Sequence, residues 1–136
     1  MKIGEIAARA GLAPSAIRYY EKVGLLKAPG RASGRRVYQQ DVLPQLVIIR
    51  FAQQTGFTLK EIRLLLHGFP ESTAASTRWR KLAGRKIPEL EAIALRARAM
   101  KKTLEKMLCC KCQKLEQCAR GLARYVEKGA NGAKRC

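Results

Sequence analysis

Apolar side chains recur at helical spacing along most of the chain, and glycine or proline separates the segments. One face of a first helix carries four apolar residues, Ile3, Ile6, Ala7 and Ala10. Gly11 is expected to end this helix, and Pro14 to open a second one that continues to Glu21. Two short helices joined by a glycine-containing turn are the outline of a helix-turn-helix.

The pattern after Gly24 predicts a wing and two more helices. Residues 27–38 combine turn formers with three arginines, which is typical of a short, exposed, basic hairpin. A third helix is expected over about residues 41–54. Thr58 and Glu61 have the spacing of a capping box, so a fourth helix should begin there and end near Gly68. The first domain is therefore predicted over residues 1–68.

A long amphipathic helix is predicted over residues 77–108, after a polar linker at residues 69–76. Its apolar positions step alternately by three and four residues: Leu90, Ile93, Ala97, Met100, Leu104 and Met107. Such a stripe needs a partner, and pairing with the same helix of a second copy predicts a homodimer. Pro88 is expected to kink or delay the regular helix. The fold class is mainly α: a winged helix-turn-helix followed by a long antiparallel coiled-coil dimerisation helix.

Residues 109–136 are interpreted as a cysteine-rich effector loop, a short helix and a tail. Of the five cysteines in the chain, four lie within ten residues: Cys109, Cys110, Cys112 and Cys118. Closely spaced thiolates wrap soft ions such as Cu(I), Zn(II) or a heavier congener, and Lys111 and Lys114 favour the ligating thiolate form. Either Cys109 or Cys110 would join Cys112 and Cys118. Cys136, in the tail, is not expected to take part.

Charge and composition narrow the class of function. The formal net charge is +18, which points to an anionic partner such as DNA, RNA or lipid headgroups. The chain shows no exporter signal and no long apolar run, so a cytoplasmic protein without a membrane partner is expected. Neither a nucleophile triad nor a phosphate-binding motif is present, so an enzyme is not expected.

Two stretches carry a family resemblance: residues 17–21, Ile-Arg-Tyr-Tyr-Glu, and residues 56–62, Gly-Phe-Thr-Leu-Lys-Glu-Ile. With Gly24-Leu25-Leu26 and the wing residues between them, they resemble the MerR family of bacterial transcription regulators. The resemblance is dense over the first 68 residues and extends to the whole chain in architecture. Arg35 is a departure, since the family usually has Tyr at that position.

The resemblance implies a homodimer that binds double-stranded promoter DNA and works with RNA polymerase. Binding of an effector would bend and untwist the promoter so that its polymerase recognition elements realign. The residues expected to contact DNA, by base readout or by phosphate binding, are Arg18, Tyr19, Arg31, Arg35, Arg36, Tyr38 and Lys60.

The identity of the effector remains open between two chemistries and a minor third, some other effector. The first is a soft metal ion, as in the copper, zinc, lead and mercury sensors of the family. The divalent-metal sensors add a cysteine at the start of the dimerisation helix, but residues 72–77 contain none, which favours a monovalent ion or a site within one loop. The second is a [2Fe-2S] cluster, as in the SoxR branch. Three cysteines and Trp79 match that branch, whereas the position of its first ligand is Met107.

Overall fold

The first two helices form the expected helix-turn-helix. In the computed structural model, which describes residues 1–128, α1 spans Ile3–Ala10 and α2 spans Pro14–Lys22. Gly11 adopts φ 65°, a left-handed conformation that glycine tolerates, and so ends α1. Ile6 from α1 and Ile17 from α2 are fully buried in the same core. The proline at the first position of α2 needs no hydrogen bond there, as the sequence predicts.

The basic segment after α2 forms the predicted wing. Strand β1 (Gly30–Ala32) pairs antiparallel with β2 (Arg35–Val37), with Gly30 opposite Val37. Ser33 and Gly34 connect the strands with φ 53° and 76°. Two consecutive positive φ values suit the right-handed twist of a two-residue hairpin. The base of the wing is fixed by two backbone hydrogen bonds, both 2.8 Å long, between Tyr38 and Met1.

Helices α3 (Val42–Gln54) and α4 (Leu59–His67) complete the domain. Thr58 and Glu61 form the predicted capping box: the Thr58 amide donates to Glu61 Oε1 at 2.9 Å, and the Glu61 amide donates to Thr58 Oγ1 at 3.2 Å. Leu46 and Ile49 from α3 and Ile62 from α4 are buried in the same core as α1 and α2. The mainly α class with a small wing is confirmed.

Helix α5 spans Ala75–Met107 and begins two residues before the predicted start. It continues through Pro88, so the expected delay of the helix at this proline is wrong. The residues before α5 are held by Arg78, whose guanidinium donates to the carbonyl oxygens of Leu65 at 3.2 Å and Pro70 at 3.1 Å. Arg78 thereby satisfies an acceptor at the end of α4, where helices leave carbonyls without partners.

The chain divides into two compact units, Met1–Lys86 and the residues from Ile87 onward. The second unit contains the rest of α5, the cysteine loop and α6 (Leu115–Lys128). A groove of about 330 Å³ between α5 and α6 is lined by Leu104, Met107, Leu122 and their neighbours. Within the described residues, no helix is long and apolar enough to cross a membrane. The predicted tail and Cys136 lie outside the described residues.

Candidate nucleic-acid interface and metal centre

Helix α2 separates a buried face from an exposed one. Ile17 and Tyr20 are buried, and the Tyr20 hydroxyl donates to Gln53 Oε1 at 2.8 Å. Arg18 is exposed, and Tyr19 is 49% exposed. An arginine and a phenol on the open face of the second helix of a helix-turn-helix are suited to base edges and phosphates. Their role as DNA contacts stays a prediction.

The register of the wing places its arginines on two faces. Arg31 lies directly opposite Arg36 in the antiparallel pair, whereas Arg35 lies opposite Ala32. Directly opposed residues point to the same face of a two-stranded ribbon, so Arg31 and Arg36 share one face and Arg35 occupies the other. Like charges directly opposed repel each other, and a bound polyanion would relieve that repulsion.

Glu21 ties the wing to the end of α2. Its Oε2 accepts a hydrogen bond from Arg36 at 3.2 Å, and its other oxygen accepts one from the Tyr38 hydroxyl. Tyr38 is only 3% exposed. Burial, and then its contact with the Glu21 carboxylate, raise the pKa of Tyr38 above its ordinary value. Sequence analysis did not single out Glu21, because no local spacing links it to the wing.

The placement of Tyr38 favours a positioning role over direct contact with DNA. If it only positions the wing, Tyr38→Phe should lower the free energy of unfolding by about 1–2 kcal/mol, because Glu21 loses a buried hydrogen bond. Chemical denaturation of the DNA-free protein measures this change. Promoter affinity should fall with it. Unchanged stability together with weaker promoter binding would show instead that Tyr38 contacts phosphate directly.

Lys60 is exposed in the first turn of α4, one residue after Leu59. The neighbouring Glu61 faces inward and pairs with Lys86 Nζ at 2.8 Å. Burial raises the pKa of Glu61, but the hydrogen bonds from Lys86 and Thr58 outweigh it and hold the pKa below its ordinary value. These contacts hold the first turn of α4, and with it the backbone of Lys60, in place. Sequence analysis did not identify Lys86, because in the sequence it is one of several basic residues of the long helix.

The structure brings three of the four candidate cysteines together. The Sγ atoms of Cys110, Cys112 and Cys118 all lie within 4.8 Å of one another. Cys110 and Cys112 lie in the exposed loop after α5, and Cys118, itself half-buried, lies in the first turn of α6. Cys109 is not in this group, because its sulfur is bonded in a disulfide; it lies 3.0 Å from the Lys106 carbonyl oxygen. Between the two alternatives left open by the sequence, the geometry favours Cys110.

The three sulfurs have the spacing of a thiolate metal site. Sulfurs bound to one ion at about 2.3 Å lie about 4 Å apart, so small side-chain rotations would complete the site. Three thiolates, two from the loop and one from the start of α6, suit a soft ion and do not suit Mg²⁺ or Ca²⁺. A [2Fe-2S] cluster needs four protein ligands, and the group within residues 1–128 supplies three.

The exposed arginine of α2 gives a direct test of the interface. Arg18→Ala should weaken binding to the cognate promoter by about 1–3 kcal/mol, because a base or phosphate contact is lost. Fluorescence anisotropy at fixed salt measures this change. Arg96→Ala, which removes the same charge from an exposed site on α5, is the control and should have little effect. Equal affinities of the Arg18 variant and the wild-type chain would remove Arg18 from the contact set.

Comparisons with known protein families place this geometry in context. The profile of the "MerR HTH family regulatory protein" family matches residues 1–68. A second profile, "MerR, DNA binding", matches residues 43–107. Together they extend from α1 to the end of α5.

Two related regulators and one solved structure are also similar to this chain. The chain is 37% identical to the HTH-type transcriptional regulator CueR of Salmonella typhi, over 67% of each chain. It is 32% identical to the SoxR homolog of Chromobacterium violaceum, an HTH-type transcriptional activator, over 85% of this chain and 79% of that one. The crystal structure of the transcription regulator PbrR691 from Ralstonia metallidurans CH34, in complex with lead(II), aligns with TM-score 0.70 and 28% identity over 84% and 91% of the two chains. The chain belongs to the MerR family of DNA-binding transcription regulators.

Proposed function

We propose that this MerR-family regulator is a metal-responsive transcription activator whose effector site is the cluster of Cys110, Cys112 and Cys118. The observation that carries the proposal is the approach of these three sulfurs to within 4.8 Å of one another. The similarity to a regulator crystallised with lead(II) supports it. The ion would be Cu(I), Zn(II) or a heavier congener, since thiolate ligands select such ions.

The proposed active form is a homodimer. In the single chain the apolar stripe of α5 is open to solvent: Ile93 is 44% exposed, Met100 58% and Leu104 66%. A regular stripe of this length is stable in water when a second helix covers it. A dimer also presents two recognition helices and two wings, which fits a promoter with two half-sites.

The mechanism follows from these parts. The dimer would grip the promoter through Arg18, Tyr19 and the wing arginines, both with and without the ion. The ion would draw the three sulfurs together and fix the loop between α5 and α6. The changed pose of the two DNA-binding domains would then bend and untwist the promoter, so that RNA polymerase can use it.

A second candidate is a redox regulator that holds a [2Fe-2S] cluster in the same loop. It is favoured by the similarity to the SoxR homolog and by the spacing of Cys110, Cys112 and Cys118. A cluster would need a fourth thiolate beside these three. Cys109 is the nearest candidate in sequence, and its disulfide would first have to be reduced.

Anaerobic purification followed by absorption spectroscopy and metal analysis separates the two candidates. The metal proposal predicts a protein without visible iron–sulfur bands that retains about one soft ion per chain. Visible bands with about two iron atoms per chain would contradict it and establish the cluster. A chain that retains neither, and that takes up no copper(I), zinc(II) or lead(II) when they are supplied, would contradict both.

A further inference from the structure

A lysine ammonium is buried in the first unit, between α4 and α5. Lys86 is 3% exposed, and its Nζ lies 2.8 Å from Oε1 of Glu61. The same ammonium lies 5.5 Å from the centre of the Phe57 ring. A charge removed from water is costly unless it is paired and hydrogen-bonded, so these contacts hold Lys86 in one position.

One carboxylate oxygen serves two helices. Oε1 of Glu61 accepts the hydrogen bond from the Thr58 amide that caps α4, and it also receives Lys86 from α5. The start of α4 and the N-terminal half of α5 are therefore joined through this oxygen atom. A shift of α5 at Lys86 must either carry the first turn of α4 with it or break an ion pair whose lysine is buried.

Aromatic packing reinforces the same junction. Phe57, in the turn before α4, packs edge-on against Trp79 of α5 with ring centres 6.0 Å apart. Trp79 also packs against Phe51 of α3 at 5.7 Å. Such edge-to-face contacts favour particular ring orientations, so the junction has few alternative arrangements. Lys60, the predicted DNA contact, is the residue directly before Glu61.

We propose that Lys86 is a positioning residue for the transcriptional response: through Glu61 it couples the pose of α5 to the predicted DNA contact at the start of α4. This inference rests on the proposed function, because it assumes that metal binding changes the pose of α5. Lys86 itself contacts neither the metal nor the promoter. Removing its charge should therefore separate effector binding from activation.

Two substitutions remove the ion pair from opposite sides. Lys86→Met keeps the long apolar stem and removes the ammonium. Glu61→Gln removes the negative charge but keeps the capping hydrogen bonds, since glutamine also serves in a capping box. Lys102→Met, at an exposed position of the same helix, is the matched control. Each variant is measured for bound metal, for metal-free promoter affinity and for transcription in vitro, with copper(I), zinc(II) and lead(II) supplied separately.

Both variants should bind metal like the wild-type chain and bind the metal-free promoter within about threefold, yet lose metal-dependent activation by about fivefold or more. The double variant should lose no more than either single one, because both remove the same interaction. Full activation in both single variants would overturn the inference. Losses of metal binding and promoter affinity that add together in the double variant would also overturn it, because they indicate general destabilisation.

The wild-type measurements distinguish a failure of this inference from a failure of the proposed function. If the wild-type chain fails to activate transcription with any of the three ions, the proposed function fails, before any variant is considered. If Lys86→Met does not fold, Glu61→Gln decides the question alone, since its cap remains intact.

Discussion

Cys112→Ser should abolish metal-dependent activation and leave promoter binding close to that of the wild-type chain. Cys112 lies in the loop, and its Sγ belongs to the group of three sulfurs within 4.8 Å. A serine hydroxyl is a hard, weak ligand that does not replace a thiolate on a soft ion. The predicted DNA contacts belong to the first unit, residues 1–86, and the substitution does not touch them. Transcription in vitro over a range of metal concentrations measures the response.

Cys109→Ser is the matched control for this prediction. It removes a neighbouring cysteine that is disulfide-bonded and lies outside the sulfur group. The control should keep the metal response. A Cys112 variant that remains fully inducible would show that the sulfur group is not the sensor, and an inactive Cys109 variant would show that the response also needs Cys109.

Ile93→Lys should prevent dimerisation and reduce promoter affinity by about a hundredfold or more, because each DNA-binding domain then binds its half-site alone. Ile93 is the second residue of the apolar stripe and is 44% exposed in the single chain. Paired helices would bury the new ammonium without a partner, which strongly disfavours pairing. Sedimentation equilibrium measures the oligomeric state, and anisotropy measures the affinity.

Leu95→Lys is the control for the stripe. Leu95 is 65% exposed and lies two residues away, on the opposite side of the helix. Its substitution introduces the same charge and should leave the dimer intact. A wild-type chain that sediments as a monomer, or an Ile93 variant that remains dimeric, would contradict the proposed pairing.

Local signals predicted the elements well. Gly11, Pro14 and the pair Thr58 and Glu61 mark helix ends through interactions within a few residues, so their effects can be read from the sequence. Pro88 shows the limit of such signals. Proline disfavours a helix interior locally, yet α5 continues through it, because extending an already formed helix past one missing hydrogen bond costs less than nucleating a new helix.

Contacts between residues that are far apart in the chain could not be predicted from the sequence. Glu21 meets Tyr38 across seventeen positions, and Glu61 meets Lys86 across twenty-five. Neither pair has a spacing that local periodicity can detect, because the relative placement of whole elements creates it. The choice between Cys109 and Cys110 could not be made from the sequence either, since neighbouring side chains diverge and the path of the loop decides which sulfur lies near Cys112 and Cys118.

We propose above all that metal binding at the sulfur group changes how the dimer distorts its promoter. The most direct measurement is the twist of a closed circular DNA that carries the promoter, determined from its topoisomer distribution with the protein bound. We expect a different twist when the protein carries its metal ion than when it is metal-free, and no such difference for Cys112→Ser. An identical twist with and without the ion in the wild-type protein would contradict metal-dependent distortion of the promoter.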